Sequence, residues 1–199
     1  MVNVPFRDTI TDVAELENRY RAPVPLVANK KTDRIAAPTA AFIAACPFVL
    51  VATGGRDGHV TVSPKGGPPG FVKVLDDHRL AMPDATGNNL VDGLRNLVEN
   101  PRIGLLFVLP GRDETLRVDG RGWPTVDPEV LDAVTDDEGR RPKLAIGVEV
   151  VTTFIHCSRA FTRGQVWQPD SWSGLVAPSA RELFRCHLAD NLPEDELPS

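Results

Sequence analysis

The sequence predicts a mainly β protein, an antiparallel barrel with peripheral helices. Seven short runs rich in β-branched, aromatic and other apolar residues follow one another between residues 48 and 156. Turn sequences separate them, and the glycine-rich segment 54–58 is typical of a hairpin loop between antiparallel strands. A length of 199 residues suits one core better than two small ones. We therefore expect a single domain over residues 1–199.

The first 45 residues predict a helical extension that precedes the barrel. Apolar residues at helical spacing form two stripes, one over residues 10–20 and one over residues 42–45. The segments 21–25 and 29–33 between them are polar, and prolines here prevent one continuous helix. Two helices joined by an irregular link are expected.

Strands occupy most of the chain after Pro47. The predicted strands are 48–53, 59–63, 71–75, 79–82, 102–109, 115–123 and 143–156. A second turn signal, Asp76-Asp77-His78, separates the third strand from the fourth. Adjacent runs joined by such short turns favour antiparallel pairing.

Three further helices are predicted, at 88–99, 128–134 and 179–189. The first has the clearest pattern, because apolar residues recur along one face between Leu90 and Val98. Asn88 or Thr86 is expected to cap its start, and Asn100 with the following proline to end it. The acidic tail 191–199 is expected to fray.

Composition excludes several classes of protein. A net charge of −5 argues against a general nucleic-acid surface, which is usually basic. No stretch reaches the roughly 20 apolar residues of a membrane span, and the N-terminus lacks the apolar core of a signal peptide. Cys46, Cys157 and Cys186 are odd in number and far apart, so we expect free thiols and a cytoplasmic location.

Three separate segments carry donors suited to a phosphate group. They are Ser63-Pro64-Lys65-Gly66, the helix start at 86–89, and 116–120 around Arg117. A helix N-terminus offers free backbone N–H groups and partial positive charge. Lys65 and Arg117 would add full charges, and the Arg fork suits phosphate oxygens. The Gly- and Pro-rich loop 64–70 would let a flat ligand approach the backbone.

Four segments in this order resemble a known family. They read DGHVTVSPKGGPPGF at 57–71, LAMPDATGNNL at 80–90, NPRIGLLF at 100–107 and LRVDG at 116–120. Together they resemble the pyridoxamine 5′-phosphate oxidase-like FMN-binding split barrels, and look closest to a bacterial subgroup of uncharacterised members. The resemblance covers about residues 30–175. It implies a six-stranded-type antiparallel split β-barrel with peripheral helices, and a homodimer with FMN at the subunit interface.

The resemblance also implies the residues that bind the cofactor. Val62, Ser63 and Lys65 would contact the flavin or its phosphate. Met82, Pro83 and Asp84 would line the ring or the ribityl chain, and Asn88, Asn89 and Arg117 would complete the phosphate end. The second subunit would close the site through 163–172. The implied residues are Val62, Ser63, Lys65, Met82, Pro83, Asp84, Asn88, Asn89, Arg117, Trp167 and Trp172.

The chain departs from the family pattern at several positions. Well-studied oxidases of the family carry an Arg-Lys pair where Asn88-Asn89 stands here, and an Arg where Val60 stands. The basic residues that bind pyridoxal phosphate near their C-terminus have no counterpart here. The fold is therefore expected to transfer better than the substrate, and oxidation of pyridoxamine phosphate is not expected.

The remaining motifs allow other interpretations. The pairs 156–157 and 186–187 contain metal-binding residue types, but strand neighbours point to opposite faces, so no metal site is expected and Cys157 is assigned to the core. Ser63 has no nucleophile-elbow sequence, and 111–122 lacks the acidic run of nudix hydrolases. Trp167 and Trp172 could anchor a dimer without contacting a cofactor.

The sequence therefore predicts an FMN-dependent oxidoreductase that acts on a small molecule. The cofactor would accept a hydride, so no catalytic acid or base is assigned to a side chain. The alternative from another class is a protein that binds or buffers a flavin, a deazaflavin or haem without turnover.

Overall fold

The computed structural model describes residues 5–85, 87 and 89–196. The helices are α1 (Val13–Asn18), α2 (Pro25–Ala28), α3 (Ala37–Ala45), α4 (Asp92–Glu99), α5 (Pro128–Ala133), α6 (Arg159–Gly164) and α7 (Ala180–Ala189), with 3₁₀ turns at Pro169–Trp172 and Glu194–Glu196. The strands are β1 (Phe48–Gly54), β2 (Val60–Gly66), β3 (Lys73–Val74), β4 (Arg79–Pro83), β5 (Arg102–Val108), β6 (Thr115–Thr125) and β7 (Ala145–His156).

All seven predicted strands are present and pair in one antiparallel sheet. Their order is β2-β1-β5-β6-β7-β4-β3, so β2 and β3 lie at its two ends and the barrel is open between them. The predicted mainly β fold with peripheral helices is confirmed. The sheet has seven strands, where the family resemblance implied a six-stranded type, because the two-residue β3 pairs with β4. Phe71 and Val72, predicted to begin that strand, instead enter the core.

The inner face of the sheet forms the main core. Residues opposite one another on neighbouring strands point to the same face, and one such row is Lys65, Val49, Phe107, Leu116 and Ile155. The three central members of this row are buried, as are Leu80 and Met82 farther round the barrel. Alternation along each strand therefore sorts the side chains between this inner face and an outer face.

Helix α4 packs against one end of the barrel. It begins later than predicted. It starts at Asp92, with Val91 in the N-cap position and no side-chain cap, so the predicted start at residue 88 is wrong. Within the helix, Asn96 donates to the hydroxyls of Thr53 and Thr61, both at 3.2 Å. These bonds join α4 to the hairpin of β1 and β2, where Asn96 and Thr53 are buried.

The two ends of the chain lie largely on the surface. The predicted pair of N-terminal helices is three short ones, of which only α3 has a buried side chain, that of Ile43. Helix α7 confirms the last predicted helix, and Ser179 forms a capping box with Glu182. A Ser-x-x-Glu spacing is typical of such a box. None of the described helices is long and apolar enough to cross a membrane.

One N-terminal segment extends the sheet beyond the end of β4. The backbone of Thr32 exchanges two hydrogen bonds with Thr153 of β7, at 3.1 and 2.7 Å. The amide of Ile35 then donates to the carbonyl of Asp77. The chain from residue 30 to 35 therefore runs along the part of β7 that β4 leaves unpaired.

Candidate functional site

The predicted site residues fall on both faces of the sheet. Lys65 belongs to the inner row described above, whereas Arg117 lies opposite Leu106 and Phe154 on the outer face. Ser63 lies on the inner face, opposite Val51. The structure therefore does not bring Lys65 and Arg117 together on one phosphate within a single subunit.

Lys65 already has a partner of opposite charge. Its Nζ lies 3.0 Å from Oδ1 of Asp84, and each side chain is 25% exposed. The Asp84 amide donates to the carbonyl of Leu144 at 3.0 Å, which fixes the carboxylate beside the end of β4. This pair joins end strand β2 to the chain after β4, across the opening of the barrel, and it neutralises the charge that Lys65 would offer a phosphate.

The other predicted contacts, at the end of β4 and after it, have varied surroundings. Met82 is completely buried in the barrel core, so its side chain has no free surface for a ligand. Pro83 is partly buried at the strand end. Asn89 is exposed, with φ of 61° in the left-handed region that Asn tolerates better than most residues. Asn88 lies outside the described residues.

Arg117 lies on the outer face among charged and aromatic neighbours. Its Nε donates to both carboxylate oxygens of Asp119, at 2.9 and 3.0 Å. Its guanidinium carbon lies 5.8 Å from the centre of the Phe154 ring, within the range of a cation–π contact. Strand register places these side chains together, because Arg117 is directly opposite Phe154.

Two lysines near Arg117 were missed by sequence reasoning. Nζ of Lys30 lies 5.0 Å, and Nζ of Lys31 5.6 Å, from the centre of the Phe154 ring. Their proximity depends on the pairing of Thr32 with Thr153, over 121 residues of sequence separation. Two adjacent lysines were visible in the sequence, but no local pattern indicates such a distant partner.

Strand β2 presents an apolar outer surface at the end of the sheet. Val60 and Val62 are 64% and 62% exposed, and the adjacent outer-face residues Leu50, Ala52 and Leu106 are only partly buried. Because β2 pairs with β1 alone, part of its backbone N–H and C=O groups point away from the sheet. This surface combines apolar side chains with free hydrogen-bonding groups.

The segment predicted to close the partner's site folds onto its own chain. The Trp167 indole Nε1 donates to the carbonyl of Arg112 at 2.8 Å, and the ring stacks on Phe161 with centres 5.8 Å apart. Trp172 is 50% exposed. Trp167 therefore anchors this segment at the loop between β5 and β6, and Trp172 is the indole with more free surface.

Two open hollows lie elsewhere on the surface. One, of about 550 Å³, lies between the β3–β4 turn and Trp123. In that turn, the pKa of Asp76 is lowered by the backbone N–H of His78 and then by Arg79. The second, of about 380 Å³, lies beside α4. Neither is lined by a predicted site residue among those described.

The three cysteines differ in environment. Cys46 is buried, and burial raises the pKa of its thiol to about 11. Cys157 is exposed, so its assignment to the core is wrong: β7 ends at His156 and the next residue leaves the sheet. Within the described part of the chain, no three His, Cys, Asp or Glu residues are grouped to hold a metal ion.

The chain is similar in sequence to one known family and in structure to several solved proteins. The sequence model of the family described as pyridoxamine 5′-phosphate oxidase matches residues 35–157, more than half of the chain. No curated protein matches. The solved structure of a HupZ variant from Group A Streptococcus is 21% identical, with a TM-score of 0.50, and the match covers 61% of this chain and 99% of that one.

Two further solved structures show weaker similarity. One is a protein of Lactobacillus delbrueckii described as a pyridoxamine 5′-phosphate oxidase, 20% identical with a TM-score of 0.48 over 63% of this chain and 98% of that one. The other is an FMN-binding protein of Syntrophomonas wolfei, 11% identical with a TM-score of 0.44 over 58% and 81%. At these identities the structural likeness concerns the fold alone.

Proposed function

We propose that the chain, which belongs to the pyridoxamine 5′-phosphate oxidase family, binds FMN and oxidises a small molecule. The family match over residues 35–157 is the observation that carries this proposal. It spans the whole sheet, from before β1 to the end of β7.

The outer surface beside β2 has the properties that a flat, partly polar ring requires. Val62 and its apolar neighbours on β1 and β5 offer a surface for the ring face. The unpaired backbone groups of β2 can exchange hydrogen bonds with the polar edge of the ring. Gly104, in the same outer row as Val62, has no side chain that would project into the space for the ring.

The cofactor would supply the hydride acceptor, and the protein would position it and exclude water. Arg117 is the site residue with terminal guanidinium nitrogens left to bind phosphate, because its Nε already bonds to Asp119. Lys65 would contribute a charge only if its bond to Asp84 opened. No described side chain is assigned as an acid or base.

We further propose that two copies of the chain form the site. The partly apolar outer face, with Val62 exposed, resembles the centre of a protein interface more than a free surface. Trp172, half-exposed, is one of the aromatic side chains available to a neighbouring subunit. A cytoplasmic location fits the three free thiols and is proposed on that ground.

The visible absorption spectrum of the purified protein tests the cofactor assignment. We expect an oxidised flavin spectrum, either as isolated or after addition of FMN. A haem or deazaflavin spectrum, or no binding of added FMN, would contradict it. Loss of the visible flavin bands when a substrate is added without oxygen would report oxidation. Bound FMN that no candidate substrate reduces would favour flavin binding without turnover.

A further inference from the structure

Three cations surround a single aromatic ring on the outer face of the sheet. Lys30, Lys31 and Arg117 each lie 5.0 to 5.8 Å from the centre of the Phe154 ring. We call these four residues the Phe154 cluster. Such a concentration of positive charge is unexpected in a chain whose net charge is −5.

Backbone pairing, not the cation–π contacts alone, holds the lysines in place. The bridge between Thr32 and Thr153 puts the preceding residue, Lys31, on the outer face beside Phe154. The Nζ of Lys30 donates to the carbonyl of Ile155 at 3.0 Å. Both ammonium groups are therefore fixed near the ring by contacts that do not neutralise their charge.

The cluster keeps most of its positive charge. Among the described residues, no carboxylate oxygen lies within 4.0 Å of Nζ of Lys30 or Lys31. Asp119 is the carboxylate that pairs with Arg117, through the Nε of that residue. The two lysines thus keep two positive charges, which match the charge of a phosphate monoester near neutral pH.

The donors are also arranged for a group with several oxygens. Lysine ammonium groups have three donors each, and the terminal nitrogens of Arg117 remain after its Nε has bonded to Asp119. All three cationic groups lie within 5.8 Å of one ring centre, so a ligand group with several oxygens suits this surface. A carboxylate has one charge and two oxygens, so it would leave part of the cluster unsatisfied.

We infer that the Phe154 cluster binds the phosphate group of a small molecule. The lysines precede the segment that matches the family, residues 35–157, so this chain supplies them from its N-terminal extension. The inference stands on charge and geometry and does not require the proposed flavin. The phosphate can belong to FMN or to a separate phosphorylated ligand, and the two sources are distinguishable.

Pyrophosphate binding to the flavin-free full-length protein, measured by calorimetry at low salt, tests the site. We expect the Lys30→Gln, Lys31→Gln double variant to bind roughly tenfold more weakly or worse, since two of three cations are lost. Lys143→Gln is the matched control, because that exposed lysine lies at the opposite end of β7, roughly 30 Å along the strand. It should bind pyrophosphate as the unchanged protein does.

Thermal unfolding of each variant shows that the fold is kept. Absence of pyrophosphate binding to the unchanged protein would overturn the inference, and so would equal affinity in the double variant. Neither result depends on flavin binding. Failure of the proposed function would be seen separately, in the visible absorption spectrum of the protein.

Flavin affinities then identify the source of the phosphate. If the double variant loses affinity for FMN but not for riboflavin, the cluster holds the phosphate of the cofactor. If both flavins bind unchanged while pyrophosphate binding falls, the cluster holds a separate phosphorylated ligand. Equal weakening of both flavins with pyrophosphate binding retained would contradict a phosphate site.

Discussion

At the scale of single residues, Thr153 carries a polar atom without a bonding partner in the barrel core. The residue is 1% exposed, and its Oγ1 has no hydrogen-bond partner among the residues described. Thr53, on the same inner face, is equally buried but bonds to Asn96 and Thr61. A buried hydroxyl without a partner costs about 1–3 kcal/mol, so these two threonines should respond oppositely to the same substitution.

We expect Thr153→Val to raise the free energy of unfolding by about 1 kcal/mol, because valine has the same shape and no unsatisfied group. Thr53→Val should lower it by about 1 kcal/mol, because Asn96 would lose an acceptor. Urea denaturation of both variants measures the difference. A loss of stability in Thr153→Val equal to that in Thr53→Val would contradict this account.

Two of the three thiols should be reactive in the native protein, and the third should be unreactive. At about pH 8 the buried Cys46 is fully protonated, because burial raises the pKa of its thiol to about 11, whereas Cys157 and Cys186 are exposed. An aromatic disulfide reagent should therefore modify two thiols in the native protein and three after denaturation. Cys46→Ala should leave the native count unchanged; a drop to one would show that Cys46 reacts.

Residue types indicated the site only in part. Lys65 and Arg117 could be recognised from the sequence as cations in or beside predicted strands, but whether they share a face depends on β-sheet register, which is set by pairing over long distances. Cys157 was assigned to the core, but it directly follows β7, which ends at His156 as predicted, and its side chain is exposed. Lys30 and Lys31 had no local signal at all.

At the scale of elements, the pair between Lys65 and Asp84 joins strands at the two sides of the barrel opening. Both side chains are mostly buried, so water screens their attraction less than it does at the surface. Arg79 and Asp76 form a comparable but more exposed pair, at 2.7 Å within one turn. The two pairs allow the effect of burial to be measured.

A double-mutant cycle with Lys65→Ala and Asp84→Ala should give a coupling free energy of about 1–2 kcal/mol. The same cycle on Arg79 and Asp76 should give less than about 0.5 kcal/mol, as exposed pairs usually do. Urea unfolding of the single and double variants provides both values. Equal coupling in the two cycles would show that the pair at the opening contributes no more than a surface contact.

Element types were predictable where the pattern is local, and their ends were not. The strands could be identified from apolar runs and turn residues, as for β1 and β5. Helix α4 was expected from residue 88 because Leu90 and Val91 continue its apolar stripe, yet its first turn begins at Asp92. Apolar spacing reports which side chains can share a face; it does not fix where helical hydrogen bonds start.

At the scale of the whole molecule, the apolar outer face near β2 is the proposed dimer interface. A charge placed at Val62 should leave the folded subunit intact, because its side chain is 62% exposed, but should be costly inside an interface. Val126, 70% exposed and just after β6, offers a matched control on another surface.

We expect the unchanged protein and Val126→Asp to have twice the subunit mass of 21.6 kDa in solution, and Val62→Asp to have the subunit mass. Light scattering after gel filtration measures this. Flavin content should fall in Val62→Asp alone, because the proposed site needs both subunits. A subunit mass for the unchanged protein, or a dimeric Val62→Asp, would contradict the proposed interface.

The bridge between Thr32 and Thr153 also decides how the N-terminal extension behaves when a ligand is present. A single pair of backbone hydrogen bonds opens far more often than the sheet unfolds, so the part of the extension before the buried Ile35 can detach and expose its peptide bonds to a protease while the barrel remains intact. An anion held by Lys30 and Lys31 would stabilise the attached state. Resistance of this segment to proteolysis should thus rise with ligand concentration, which makes the extension a reporter of occupancy.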